Sequence, residues 1–151
     1  MTHYEGGCEC GSVRYRMTQE PIFVNCCHCR QCQKISGSAF AINGLIEGDR
    51  LEVLEGSNNF ATENGQVRCS QCGTLLWSAH RLFGDKIQFV RLGTLDEAER
   101  IEPDAHFFVR SKHRWMTIPG GVPQFQTLPS ETDPPLMSAK SAARLEAVNG
   151  G

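Results

Sequence analysis

Apolar residues recur at every second position through much of the chain, in runs too short for long helices. Val13, Tyr15 and Met17 alternate with Arg14 and Arg16, the period of a half-buried strand. Ile22-Phe23-Val24 follows the break at Glu20-Pro21 and reads as a short apolar strand. Residues 39–46, with Phe40 and Ile42 on one face, read as another, and so do 51–54 and Leu75-Leu76-Trp77. In 87–92, Ile87 and Phe89 oppose Val90 and Leu92, and 105–109 reads as strand or extended chain. Val67 and Cys69 share one side of a strand entered from Asn64-Gly65, a pair that favours tight hairpins.

Helical signals are few. Residues 33–37 allow one turn of helix or a loop, and 96–100 allow one helical turn. Trp115 and Ile118 are expected to anchor the last ordered segment before Pro119. Many short strands and Gly-rich turns predict a mainly β single domain over residues 1–129. Residues 130–151 read as a linker, Ser130 to Pro135, followed by an alanine-rich tail with a short helix. Alone that helix is shorter than the ~12–15 residues at which isolated helices become marginal, so it either docks on the body or frays.

Composition narrows the functional classes. The chain has 151 residues, 15 basic against 17 acidic, for a formal charge of −2. No excess of positive charge is available to follow a phosphate backbone, which argues against a nucleic-acid partner. Residues 1–7 carry neither a basic nor an apolar signal region, and no apolar run approaches the ~20 residues needed to cross a bilayer. A cytoplasmic, non-membrane protein is expected. In a reducing compartment eight cysteines read more readily as metal ligands than as disulfides.

Those cysteines fall into a central cluster, Cys26-Cys27-His28-Cys29-Arg30-Gln31-Cys32, and two outer pairs, Cys8/Cys10 and Cys69/Cys72. Zn²⁺ meets sulfur at about 2.3 Å with tetrahedral angles, and a short Cys-x-x-Cys turn aims two sulfurs at one point. Cys8, Cys10, Cys69 and Cys72 would form one closed Cys₄ site with a folding role. Cys27, Cys29 and Cys32 form an arc suited to a second site. Cys26 would face the other side of a strand and is read as a small buried hydrophobe. Three protein ligands leave a position for water or substrate, the arrangement of a catalytic zinc. His28 is expected to point away and serve structurally; were it, Cys26 or a distant histidine a fourth ligand, the site would be closed. A three-thiolate zinc is a weak Lewis acid but a soft one, which favours thiol-directed chemistry over hydrolysis.

The residues Gly7-Cys8-x-Cys10-Gly11, Asn25-x-Cys27-His28-Cys29-x-x-Cys32-Gln33-Lys34, Gly37-Ser38-Ala39-Phe40 and Cys69-x-x-Cys72-Gly73-Thr74, with the later Gly93-Thr94-Leu95-Asp96, Pro103-x-x-His106, Lys112 and Trp115, resemble the glutathione-dependent formaldehyde-activating (GFA) family, which shares its domain with centromere protein V. The resemblance covers about residues 5 to 125. It implies a β-tent of small coiled antiparallel sheets stapled by two zinc ions per chain. It also implies that Cys8, Cys10, Cys69 and Cys72 hold the structural zinc, and Cys27, Cys29 and Cys32 the catalytic one. The activity implied is that of a carbon–sulfur lyase joining glutathione and formaldehyde as S-hydroxymethylglutathione. A non-catalytic zinc-stapled module binding a small thiol or a protein is the alternative. An anionic thiol calls for cations; Arg30, Lys34, Arg110 and Lys112 are the candidates, each more simply read as solvated surface charge. His106 is a candidate neighbour of the central site, and Trp77 and Trp115 are read as core.

Overall fold

The alternation along the chain becomes ten strands among the described residues, 3–150, of the computed structural model. They are β1 (Tyr4–Gly7), β2 (Arg14–Met17), β3 (Phe23–Cys27), β4 (Ala41–Glu47), β5 (Leu51–Glu55), β6 (Phe60–Glu63), β7 (Gln66–Cys69), β8 (Leu75–His80), β9 (Gly84–Arg91) and β10 (Ala105–Phe107). Two helices join them, α1 (Arg30–Ser36) and α2 (Ala139–Gly150). A three-stranded sheet has the order β1-β2-β5, and a seven-stranded sheet the order β10-β3-β4-β9-β8-β7-β6. Every pairing is antiparallel except β10 with β3, which is parallel. The β6–β7 hairpin turns at Asn64 (φ 52°) and Gly65 (φ 76°), the two left-handed residues that a tight two-residue turn requires.

The pleat divides the large sheet into two faces with separate cores. Phe23, Leu45 and Phe89 lie in one cross-strand row. Val24, Gly44, Val90 and Trp77 lie in the next. The second row faces the small sheet, where fully buried Val13, Tyr15 and Met17 close the main core with Ile46, Leu76 and Leu92. Gly44 belongs there because Leu92 fills its place: a Cβ would stand 2.8 Å from Leu92 Cδ2. Trp77 is buried edge-on between Tyr15 and Phe60, in keeping with its reading as core.

Trp115 departs from that reading, being 75% exposed. It leans on the edge of His113, and Ile118, 8% exposed, is the residue that anchors this segment. The first row carries the second core, and the tail docks on it. Leu136, Met137, Leu145 and Val148 pack against Ile22, Phe23, Leu45, Ile87 and Ala105.

An ion pair fixes the docked helix. Arg144 Nη2 and Nε lie 2.6 and 3.0 Å from the Glu47 carboxylate, with both side chains nearly buried, and Arg50 approaches the same group at 3.3 Å. Burial pushes the Glu47 carboxyl upward, but the bonds from Arg144 and the charge of Arg50 outweigh it and hold the group below its ordinary value. Its contribution to stability is therefore full above the unfolded carboxylate pKa and lost as pH falls through the lower, folded value. Arg144→Ala should loosen α2 by about 2–3 kcal/mol, at or below the usual cost of breaking a buried pair because Arg50 remains. Amide exchange of residues 139–150 checks this. Protection in the wild type should fall on acidification below about pH 4, while the variant starts unprotected and shows little further change.

Candidate metal centres and the groove between them

Cys8 and Cys10 sit in the turn after β1, and Cys69 and Cys72 bracket the turn from β7 to β8. Both turns are built alike. Gly11 and Gly73 each follow the second cysteine at φ 81°, a conformation that only glycine adopts without strain. Each glycine N–H donates to the carbonyl of the first cysteine, Gly11 to Cys8 at 3.2 Å and Gly73 to Cys69 at 2.8 Å. Backbone N–H groups also point at sulfur, from Val13 to Cys8 Sγ and from Gln71 to Cys69 Sγ, both at 3.3 Å.

The four sulfurs all lie within 4.8 Å of one another, although the pairs are about sixty residues apart in the chain. Cys8 to Cys10 is 3.6 Å and Cys10 to Cys69 is 3.8 Å. Sulfurs bound tetrahedrally at about 2.3 Å stand about 3.8 Å apart, whereas a disulfide needs about 2.05 Å. The donor set and its spacing therefore fit a tetrahedral ion. Two residues that the cysteine spacing does not reveal complete the surroundings. The Ser12 hydroxyl is 3.2 Å from both Cys10 and Cys69. The Thr74 hydroxyl, 3.1 Å from Cys72, is the leading cause of that thiol's fall to about 5.

The central cluster divides as expected from its spacing. Cys27 ends β3, Cys29 caps α1 and Cys32 lies in its first turn, with Cys32 N–H donating to Cys29 Sγ at 3.3 Å. The helix begins at Arg30, earlier than the expected turn at 33–37, because Cys29 serves as its N-cap. These three sulfurs form the second group that can hold an ion, and among the described residues no fourth His, Cys, Asp or Glu joins it. A hydrogen bond between Cys27 and Cys32 is the main cause that lowers Cys32 to about 6 and raises Cys27.

Cys26 is buried outside the group, and burial pushes its thiol up to about 12. His28 is fully buried and turns to His106, with Nε2 and Nδ1 2.8 Å apart and Phe40 against the ring. Burial, helped by the nearby His106, Lys112 and His113, lowers His28 to about 4, so the ring is neutral near pH 7. His106 contacts the cluster through His28 and through its strand pairing opposite Cys26.

Gln33 secures the arc. Its Nε2 donates to His28 O at 2.7 Å and Ser111 O at 2.9 Å, and its Oε1 accepts from Arg30 and from His113 at 3.1 Å. Of the four cations expected from sequence, Arg30 is thus engaged with Gln33. Lys112 donates to two backbone carbonyls, those of His113 and Met116, and Arg110 lies over Phe108. Lys34 borders a shallow surface hollow beside His113.

Two further cations, Arg68 and Arg91, stand apart from those four. They border a groove of about 400 Å³ between α1 and the Cys69/Cys72 turn, with Ile35, Phe40, Ile42 and Leu75 among its walls. Neither was legible as a site residue, since each looks like the outward polar position of an alternating strand.

A mainly β fold that gathers its cysteines into two groups able to hold a metal ion, one of four donors and one of three, defines the class of domain. Residues 3–111 match the family described as glutathione-dependent formaldehyde-activating enzyme, and the chain belongs to that family. A Talaromyces marneffei protein named "Putative glutathione-dependent formaldehyde-activating enzyme" is 27% identical over 113 residues, 69% of this chain and 60% of that protein. The match thus spans less than two thirds of the relative. A Rhodobacter sphaeroides crystal structure shares the fold at a TM-score of 0.50 and 20% identity, covering 66% of this chain and 91% of that one. Among the described residues no helix is long and apolar enough to cross a membrane.

Proposed function

We propose that the protein makes or breaks the bond between a small thiol, such as glutathione, and a small aldehyde, such as formaldehyde, at Cys27, Cys29 and Cys32. In this reading zinc occupies both cysteine groups. Cys8, Cys10, Cys69 and Cys72 serve the fold, and the three central cysteines serve the chemistry. The observation that carries it is the grouping of three sulfurs, with no fourth donor among the described residues, beside a separate set of four.

Zinc bound to three thiolates supplies a soft Lewis acid that favours the thiolate form of an added thiol. The chain's own part is to hold Cys27, Cys29 and Cys32 in fixed relation through β3, α1 and the Gln33 amide, which is preorganisation of the site. The reaction balances without a redox partner. Sulfur adds to the carbonyl carbon, the C=O π bond opens, and the thiol proton ends on the new hydroxyl. The cleavage direction reverses each of these steps.

Exchange spectroscopy of glutathione with formaldehyde tests the reading. The zinc-loaded protein should accelerate appearance of the S-hydroxymethyl signal over the buffer reaction. Equal rates with and without protein would sink the catalytic reading and leave only a binding module.

A further inference from the structure

The groove between α1 and the Cys69/Cys72 turn has two positive side chains and no carboxylate among its lining residues. Arg68 spends one Nη on the Gly73 carbonyl at 3.2 Å. Arg91 stands across from Asn43, which is itself across from Asn25, two residues before Cys27. One of its Nη atoms donates to the Asn43 side chain, and its Nε is buried without a partner. Neither arginine is paired with a carboxylate among the described residues, and Arg91 also reaches the Cys32 sulfur, whose thiolate it favours.

We propose that Arg68 and Arg91 are specificity residues that hold the carboxylates of the thiol substrate along this groove. The protein then selects thiols that carry carboxylates over neutral or cationic ones. This rests on the reading that the central site acts on a thiol. Arginine is suited to the task because its planar fork meets a carboxylate through two parallel bonds. The apolar walls offer contact to the uncharged middle of such a molecule, and a volume of about 400 Å³ lies within the range of small-ligand sites. Glycine also lines the groove, at Gly73 and Gly93. A Cβ at Gly93 would meet nothing within 4 Å, so a side chain added at Gly93 would project into open space.

Calorimetric titration of the zinc-loaded full chain with S-methylglutathione tests this apart from catalysis, since that probe keeps both carboxylates but has no thiol to ionise. Arg68→Gln and Arg91→Gln should each weaken binding about tenfold, with partial recovery in the lysine variants. Gly93→Leu should block the groove without changing charge and weaken binding at least as much. Lys34→Gln should leave the affinity unchanged, and the diethyl ester of the probe should bind wild type about as weakly as the acid binds the arginine variants. Zinc content and melting temperature, measured alongside, identify any variant whose loss reflects a damaged fold. Affinity independent of both arginines, equal affinity for acid and ester, or no binding by the wild type would each overturn the proposal. Adduct catalysis with arginine-independent binding would overturn the groove alone. Arginine-dependent binding without adduct catalysis would overturn the catalytic reading and leave the groove standing.

Discussion

Cys72→Ser should unfold the half of the protein in which the small sheet meets the β7–β8 hairpin. Its sulfur belongs to the group that brings the turn after β1 to the turn after β7, and among the described residues few side-chain hydrogen bonds cross that junction near the cysteines. Those that do include the bond from Glu9 N–H to the Thr74 hydroxyl at 3.1 Å. Structural zinc contributes on the order of 10 kcal/mol or more to small domains, against a total stability of about 5–15 kcal/mol. Loss of one thiolate should therefore cost about 5 kcal/mol or more. Burial does not explain such an effect, because Cys72 is exposed, and an ordinary surface Cys→Ser change stays within about 0.5 kcal/mol. Thermal unfolding with zinc present, and again after a strong chelator, is the check. A melting temperature within a few degrees of wild type would show that the four cysteines do not staple the fold.

Cys32→Ser should have the opposite profile: adduct formation falls at least about 10²-fold, beyond what loss of an outer partner of a metal ligand usually costs, while the fold survives. Cys32 is a half-buried residue in the first turn of a seven-residue helix. Its sulfur meets Cys27, Cys29 and Arg91, but the strand pairing and the amide bridge that hold this region do not pass through it. β3 pairs with β4 and β10 on either side, and the Gln33 amide bridges His28 to Ser111. A stability cost of no more than about 2 kcal/mol is expected. Cys27→Ser and Cys29→Ser should act alike in turnover, with a larger stability cost at buried Cys27. Paired rate and melting measurements on the Cys32 and Cys72 variants separate the two roles. If Cys32→Ser unfolds the chain as severely as Cys72→Ser, the division between a folding site and a reacting site is wrong.

The sequence carried the strands and the grouping of cysteines because both follow short-range rules. Period-two alternation put Val13, Tyr15 and Met17 on one face and set Ile87 and Phe89 against Val90 and Leu92, as the two cores require. The cysteine spacings separated Cys26 from its neighbours for the same reason, since consecutive residues of β3 face opposite ways. Long-range facts were not legible in this way. The parallel pairing of β10 with β3, the docking of α2 through Arg144 and Glu47, and the Ser12 hydroxyl among the sulfurs depend on residues brought together only by folding. Trp115 misled because a large aromatic is buried more often than not, and here Ile118 takes that place. The cations bordering the groove were not legible either. Arg30, Lys34, Arg110 and Lys112 are near the central cysteines in sequence or lie in the matched motif, while the groove beside α1 is bordered by Arg68 and Arg91.

The central claim is that Cys27, Cys29 and Cys32 hold an ion to which a substrate thiol can add, and cobalt(II) reports on that directly. With both sites cobalt-loaded, saturating glutathione should increase the sulfur-to-cobalt charge-transfer absorption by one thiolate's worth. The same addition to a Cys32→Ser protein, loaded at its remaining four-cysteine site, should leave the spectrum unchanged. A wild-type spectrum that does not respond to glutathione, or an equal response in the variant, would contradict the account.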